Sequence, residues 1–222
     1  MVTLDFMSLT DYAGELLSGT VSTMWLSAVI YVLTLSISIP LAFVRSNTRV
    51  KALSWLLTIY VEIVRNVPAL VFIFMAYFGL PKAGIRVNST ILGIVVSVLV
   101  LTGYTTENVR GGINAVSSGQ WEAIDALGIP RFTGIVKIIL PQTLKNCWPA
   151  LTNMLVITIF STSVLSVIDV RELTQITGLI NAESFRTLEV YIVAVAIYYI
   201  ITTLFRLAFA GVYRLAFSKE TR

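Results

Sequence analysis

The chain has 222 residues, of which 56% are hydrophobic and only 13% charged, with a mean hydropathy of +0.85. A water-soluble domain carries about 25% charged residues, so this composition excludes one and calls for a lipid surround. The formal charge of +4 comes with no histidine and a single cysteine, Cys147. That excludes a disulfide framework, a multi-cysteine metal site and the usual general base.

The N-terminal stretch has no Lys or Arg and carries Asp5, Asp11 and Glu15. It lacks the basic region of a cleavable signal, so the first apolar helix is expected to serve as its own insertion signal. Five apolar segments are long enough for a hydrocarbon core of about 30 Å, which needs about 20 helical residues. They lie near 20–44, 53–80, 91–111, 148–168 and 188–212. The expected architecture is therefore an all-α integral membrane protein of about five transmembrane helices, a single domain over residues 1–222. Pro40 and Pro68 are expected to kink their helices, and Glu62 and Arg65 interrupt the second segment.

Basic residues concentrate in alternate connections: Arg45, Arg49 and Lys51; Arg110, Arg131, Lys137 and Lys145; Arg206, Arg214, Lys219 and Arg222. Acids dominate the other side, with Asp5, Asp11, Glu15, Asp169, Glu172, Glu183 and Glu189. Positive charge marks the cytoplasmic face, which predicts an outside N-terminus and a cytoplasmic C-terminus, as an odd span count requires. The charges are spread between apolar stretches rather than gathered on one face, so nucleic acid is not an expected partner.

The connection over residues 112–147 is too long for a turn. Ser117-Ser118-Gly119-Gln120 has capping-box spacing, Trp121–Leu127 reads as a short helix closed by Gly128, and Pro130 opens a second short helix stopped by Pro141. The exposed apolar positions Ala123, Ala126, Leu127 and Ile129 imply that this knob packs on something.

The knob reads Glu122-Ala123-Ile124, then Gly128 after three residues and Ile138-Ile139-Leu140-Pro141 after nine more. This resembles the EAA loop of ABC importer permeases, with Ile124 the one departure. Glu62-Ile-Val-Arg65-Asn66-Val-Pro68, Tyr77-Phe-Gly-Leu-Pro81, Glu107-x2-Arg110-Gly-Gly and Thr162-Ser163 are similar to helix motifs of the polar amino-acid branch of that family. The resemblance implies a type I importer permease fold with a cytoplasmic coupling-helix loop, in a bacterial inner membrane. It implies translocation of a polar amino acid delivered by an extracytoplasmic binding protein, and no cofactor of the chain's own. Its implied partners are an ABC ATPase dimer, which binds the ATP, a second permease copy or paralogue, and the lipid bilayer. Glu122, Ala123, Ile124, Ala126, Leu127, Gly128 and Pro130 would then couple to the ATPase. Arg65-Asn66-Val67-Pro68, in place of the commoner Arg-Gly-Thr-Pro, is similar to acidic amino-acid permeases.

Charges inside the bilayer usually face a cavity or a partner. Glu62 and Arg65, three residues apart, are expected to neutralise each other on one helical face, either as a helix-pinning pair or as part of the substrate path. Glu107 and Arg110 read as a structural buried charge. On the fourth span Asn153, Ser161, Thr162 and Ser163 are either helix–helix glue or the lining of the path. Phe160-Ser161 stands where relatives have Lys-Asp, which implies weaker charged recognition or recognition supplied by a paralogue. A stand-alone secondary transporter or channel is the alternative, and the absence of an inverted repeat or a broken helix pair argues against it. An intramembrane enzyme lacks its motifs here, and no Gly-x4-Gly-Lys-Ser/Thr marks the chain as an ATPase.

Overall fold

The computed structural model describes residues 4–46 and 51–217. Arg49, Lys219 and Arg222, which entered the charge count, lie outside the described residues. All regular structure among the described residues is helical, because only helices satisfy every backbone N–H and C=O inside one segment in lipid.

A 3₁₀ turn over Met7–Tyr12 leads into α1 (Ala13–Ser46), which continues unbroken through Pro40. Then come α2 (Lys51–Asn66), α3 (Ala69–Lys82), α4 (Ser89–Asn114) and the short α5 (Ser118–Ala126). The chain goes on through α6 (Arg131–Gly134), a π-turn over Ile135–Ile139, α7 (Leu140–Thr162), a 3₁₀ turn over Ser163–Ile168, α8 (Leu173–Ser184) and α9 (Thr187–Phe217). Four stretches are long and apolar enough to cross a membrane: Met7–Ser46, Ser89–Asn114, Arg131–Ile168 and Thr187–Phe217.

The expected second span, 53–80, is not one helix. It breaks at Val67-Pro68 into α2 and α3, bent by 99°, and the span count is five only if that pair is taken as one. Proline lacks the N–H that would continue the ladder and pushes the preceding residue out of the helical region. At 16 and 14 residues, about 24 and 21 Å, each piece alone falls short of the hydrocarbon core. A broken helix pair is therefore present, contrary to the expectation used against a stand-alone transporter.

The chain forms two compact units, each assembled from distant segments. One comprises Met1–Val32, Ala69–Val98 and Leu155–Ala210. Its core packs Leu16, Ile159, Leu173, Ile176, Ile180 and Ile201. Glycines set the approach distances: a Cβ on Gly19 would lie 3.1 Å from the Leu173 Cα, and one on Gly93 would lie 3.1 Å from Leu165. The other unit comprises Leu33–Pro68, Leu99–Met154 and Gly211–Arg222. Here Gly103 lies against Val64, and a Cβ on Gly112 would stand 2.7 Å from the Thr143 carbonyl oxygen and 2.9 Å from the Cys147 Cβ. Small residues bring helix backbones together where lipid supplies no hydrophobic drive between helices.

Candidate functional site

The knob at α5 is built on a helix stop. Gly128 adopts φ +64°, its N–H donates to the Asp125 carbonyl at 3.2 Å, and the Ile129 N–H donates to the Ile124 carbonyl at 3.0 Å. These paired bonds satisfy the last carbonyls of α5, and only glycine reaches the left-handed conformation without steric cost. Ile124 is 3% exposed, in a small core with Val116 and Ile139 that Ile129 also joins. Gly134 makes the room, since a Cβ there would stand 2.8 Å from Ile124 Cγ2. Ile124, the departure from the second alanine, is thus spent inside the knob and not on its surface. Glu122, Ala123, Ala126, Leu127, Gly128 and Pro130 are exposed, Leu127 at 75%. Phe132, which sequence reasoning missed, stands beside them at 78% exposure.

Two local expectations are corrected. Ser117 is the N-cap of α5, but its side chain makes no capping bond; the Gln120 side chain instead accepts from Gln142 Nε2 at 3.3 Å. Pro141 does not stop the second short helix, because the π-turn at Ile135–Ile139 carries the chain into α7. A π-turn widens the backbone ring, which relieves the clash between a proline and the carbonyl four residues before it. The expected 36-residue connection, 112–147, shrinks accordingly. Helix α4 runs to Asn114, and the next apolar crossing stretch starts at Arg131.

The charges on the spans pair differently from the sequence expectation, and none of Glu62, Arg65, Glu107 and Arg110 is fully buried. Arg65 does not neutralise Glu62; its Nη1 lies 3.7 Å from Glu107 Oε2, with its guanidinium 5.9 Å from the Tyr104 ring centroid. Glu62 accepts from Asn66 Nδ2 at 3.2 Å. Glu107 is the hub. Arg110 donates through Nε at 2.7 Å and Nη2 at 3.2 Å, and Arg45 Nη1 bonds Oε1. Arg45 also donates from Nε to Thr58 Oγ1 at 3.2 Å. The expected pair Glu107–Arg110 is present, and Arg45 and Arg65, which lie far off in sequence, complete it. The cluster fastens the ends of α1, α2 and α4.

The polar run of the fourth span divides. Asn153 is exposed on α7, Ser161 and Ser163 are half-buried, and Thr162 is fully buried. Ser161, Thr162 and Ser163 donate to the carbonyls of Thr158, Ile159 and Phe160 at 2.8, 2.7 and 2.7 Å. Phe160 and Ser163 border a hollow of about 580 Å³ with Thr174, Tyr191 and Tyr198, and no charged side chain lines it. Behind Tyr198 sits Glu172, the N-cap of α8, wholly buried. It accepts from the Gln175 N–H and from Tyr198 Oη, both at 2.8 Å. Burial pushes its carboxyl above the ordinary range against those donors. Sequence reasoning counted Glu172 among the acids of the outer side, since nothing nearby in sequence announces its burial.

Removing the Glu107 charge leaves three guanidiniums without their shared countercharge. Glu107→Gln is expected to cost about 1–3 kcal/mol, whereas Glu62→Gln on the exposed flank stays within about 0.5 kcal/mol. Thermal melts of the two solubilised variants make the comparison, and equal losses would remove Glu107 from its central place.

Over residues 35–216 the sequence matches the family described as binding-protein-dependent transport system inner membrane component. It is 36% identical over 154 residues to a probable glutamine ABC transporter permease protein of Bacillus subtilis, covering 69% of this chain and 71% of that one. A putative glutamine transport system permease protein of Rickettsia bellii is 33% identical over 85% of this chain and 87% of its own length. An arginine transport system permease protein of Bacillus subtilis is 29% identical over 94% of both. Among solved structures, one described as an amino acid ABC transporter with histidines superposes at a TM-score of 0.85 with 28% identity, covering 96% of this chain and 99% of that one. An inward-facing methionine ABC transporter chain shares the fold at a TM-score of 0.74 and 18% identity, over 93% and 98% of the two chains. A match over most of the chain, carried by the helices and the knob described above, establishes that this protein belongs to the binding-protein-dependent transport system inner membrane components.

Proposed function

We propose that the chain is the permease subunit of an ATP-driven importer of a polar amino acid, and that the α5 knob is where a separate ATPase acts on it. The observation that carries the reading is the knob itself. Its outward face presents Ala123, Ala126 and Leu127, while Ile124 and Gly134 lock its inner face. Small outward side chains permit close approach, and a helix locked by internal packing moves as a rigid lever. The named partners are an ABC ATPase dimer, a second permease copy or paralogue, and an extracytoplasmic binding protein. The relatives named for glutamine and arginine support a polar amino acid as the cargo. An amino-acid zwitterion does not enter hydrocarbon unaccompanied. The half-buried Ser163, which borders the uncharged hollow, offers it hydrogen bonds without a fixed countercharge.

Gly128→Leu forces a branched side chain into the left-handed conformation that ends α5. Membrane insertion is expected to persist while ATP hydrolysis proceeds without uptake, read as the ratio of substrate transported to ATP consumed in proteoliposomes. An unchanged ratio would separate the knob from the ATPase.

The charge distribution supports an outside N-terminus and a cytoplasmic C-terminus. Reporter fusions after Ile176 are expected to report the periplasm and fusions after Arg222 the cytoplasm. The reverse pattern would put the knob on the wrong side for an ATPase.

A further inference from the structure

The Glu107 cluster is over-supplied with positive charge. Arg45, Arg65 and Arg110 carry three charges against one carboxylate, a surplus of two, and counting Glu62 one turn from Arg65 still leaves a surplus of one. The arginines are not equivalent. Arg45 is turned inward, its side chain 10% exposed, with Nε on Thr58 and Nη1 on Glu107. Arg65 and Arg110 are 39% and 37% exposed, and a guanidinium has five N–H donors, more than Glu107 takes up. The cluster therefore has a neutralised inner part and a cationic outer rim with donors to spare.

Its level in the membrane follows from helix length. With 26 residues, α4 is about 39 Å long and overshoots a 30 Å core by a few ångströms at each end. Arg110, four residues before Asn114, then stands at the boundary between acyl chains and headgroups. On the face of α4 that carries Arg110, Leu99 is exposed three turns before it, and Tyr60 Oη donates to the Leu99 carbonyl at 2.5 Å. An anion seated on Arg65 and Arg110 at that boundary, with hydrocarbon running into the acyl layer past Leu99, has the chemistry of a phospholipid, which free phosphate does not share.

We propose that Arg65 and Arg110, backed by Arg45 and Glu107, form a binding site for the phosphodiester of an anionic phospholipid. Arginine suits it because the planar guanidinium fork binds phosphate oxygens in pairs. Basic pockets between membrane helices recognise such headgroups, and each surface cation adds to the attraction.

The test uses the transporter assembled with its ATPase, incubated with equal amounts of phosphatidylglycerol and phosphatidylcholine and read by native mass spectrometry. Phosphatidylglycerol should be retained about tenfold or more over phosphatidylcholine. The double variant Arg65→Gln/Arg110→Gln should lose that preference, while Arg214→Gln, at an exposed basic position on α9, should keep it. Millimolar inorganic phosphate should leave the lipid in place; its displacement by phosphate would overturn the lipid assignment. A double variant that keeps the preference overturns it equally. Should that variant fail to assemble, equal retention of the two lipids by the unmodified transporter is decisive against the site.

Discussion

A carboxylate at membrane depth has to be matched with charge, and much of this structure follows from how Glu107 is matched. An isolated charge at the centre of a bilayer helix costs about 2.5–3.5 kcal/mol on insertion scales. Glu107 meets the cost by drawing Arg45 from α1, Arg65 from α2 and Arg110 from its own helix onto two oxygens. Each bond fixes a helix end. Arg45 is held a second time by Thr58, and Tyr104 lies under Arg65 while donating from its hydroxyl to the Arg65 carbonyl at 3.1 Å. Three helix ends that lipid alone would leave free to slide are therefore pinned to one point.

Packing elsewhere obeys the same solvent. Because lipid tails are as apolar as leucine, helices gain little by hiding leucines from them, and close contact through small residues does the work. Gly112 meets α7 at its backbone and Gly134 admits Ile124. The hydroxyls of Ser161, Thr162, Ser163 and Ser166 return to carbonyls three residues earlier, which satisfies them locally. Exposed apolar side chains are plentiful, among them Leu204 and Leu207 on α9, as a lipid surround allows.

Much of this was legible in the sequence, and what was not has identifiable causes. Long apolar runs marked four crossing stretches, and Gly128 marked the end of α5, because hydropathy and a left-handed stop are local properties. The second span was drawn as one segment because hydropathy is blind to a break; Pro68 announced a kink there but not its size, 99°. Pro141 was misread for the opposite reason, since a proline normally ends a helix and only the π-turn before it lets this one continue. Glu62 and Arg65 looked like partners at helical spacing, yet Glu107 lies 42 residues further along, and no local rule predicts that choice. Arg45 was counted as a topology signal alone, since its contact with Glu107 spans 62 residues. The Ser117 box matched its pattern, but Gln120 found a side-chain partner on α7.

On the proposed reading, the knob joins these features to transport. Its inner face is locked by Ile124 and its outer face is left uncommitted, an arrangement suited to passing a push from one protein to another. The most direct measurement is disulfide cross-linking between this chain and its ATPase, with the buried Cys147 first replaced by alanine. Cysteine at the exposed Ala126 should cross-link to a cysteine in the ATPase groove, to an extent that changes between the nucleotide-free and ATP-bound states, and cysteine at the buried Ile124 should not. Cross-linking through Ile124 with Ala126 inert, or yields at Ala126 that ignore nucleotide, would contradict the account.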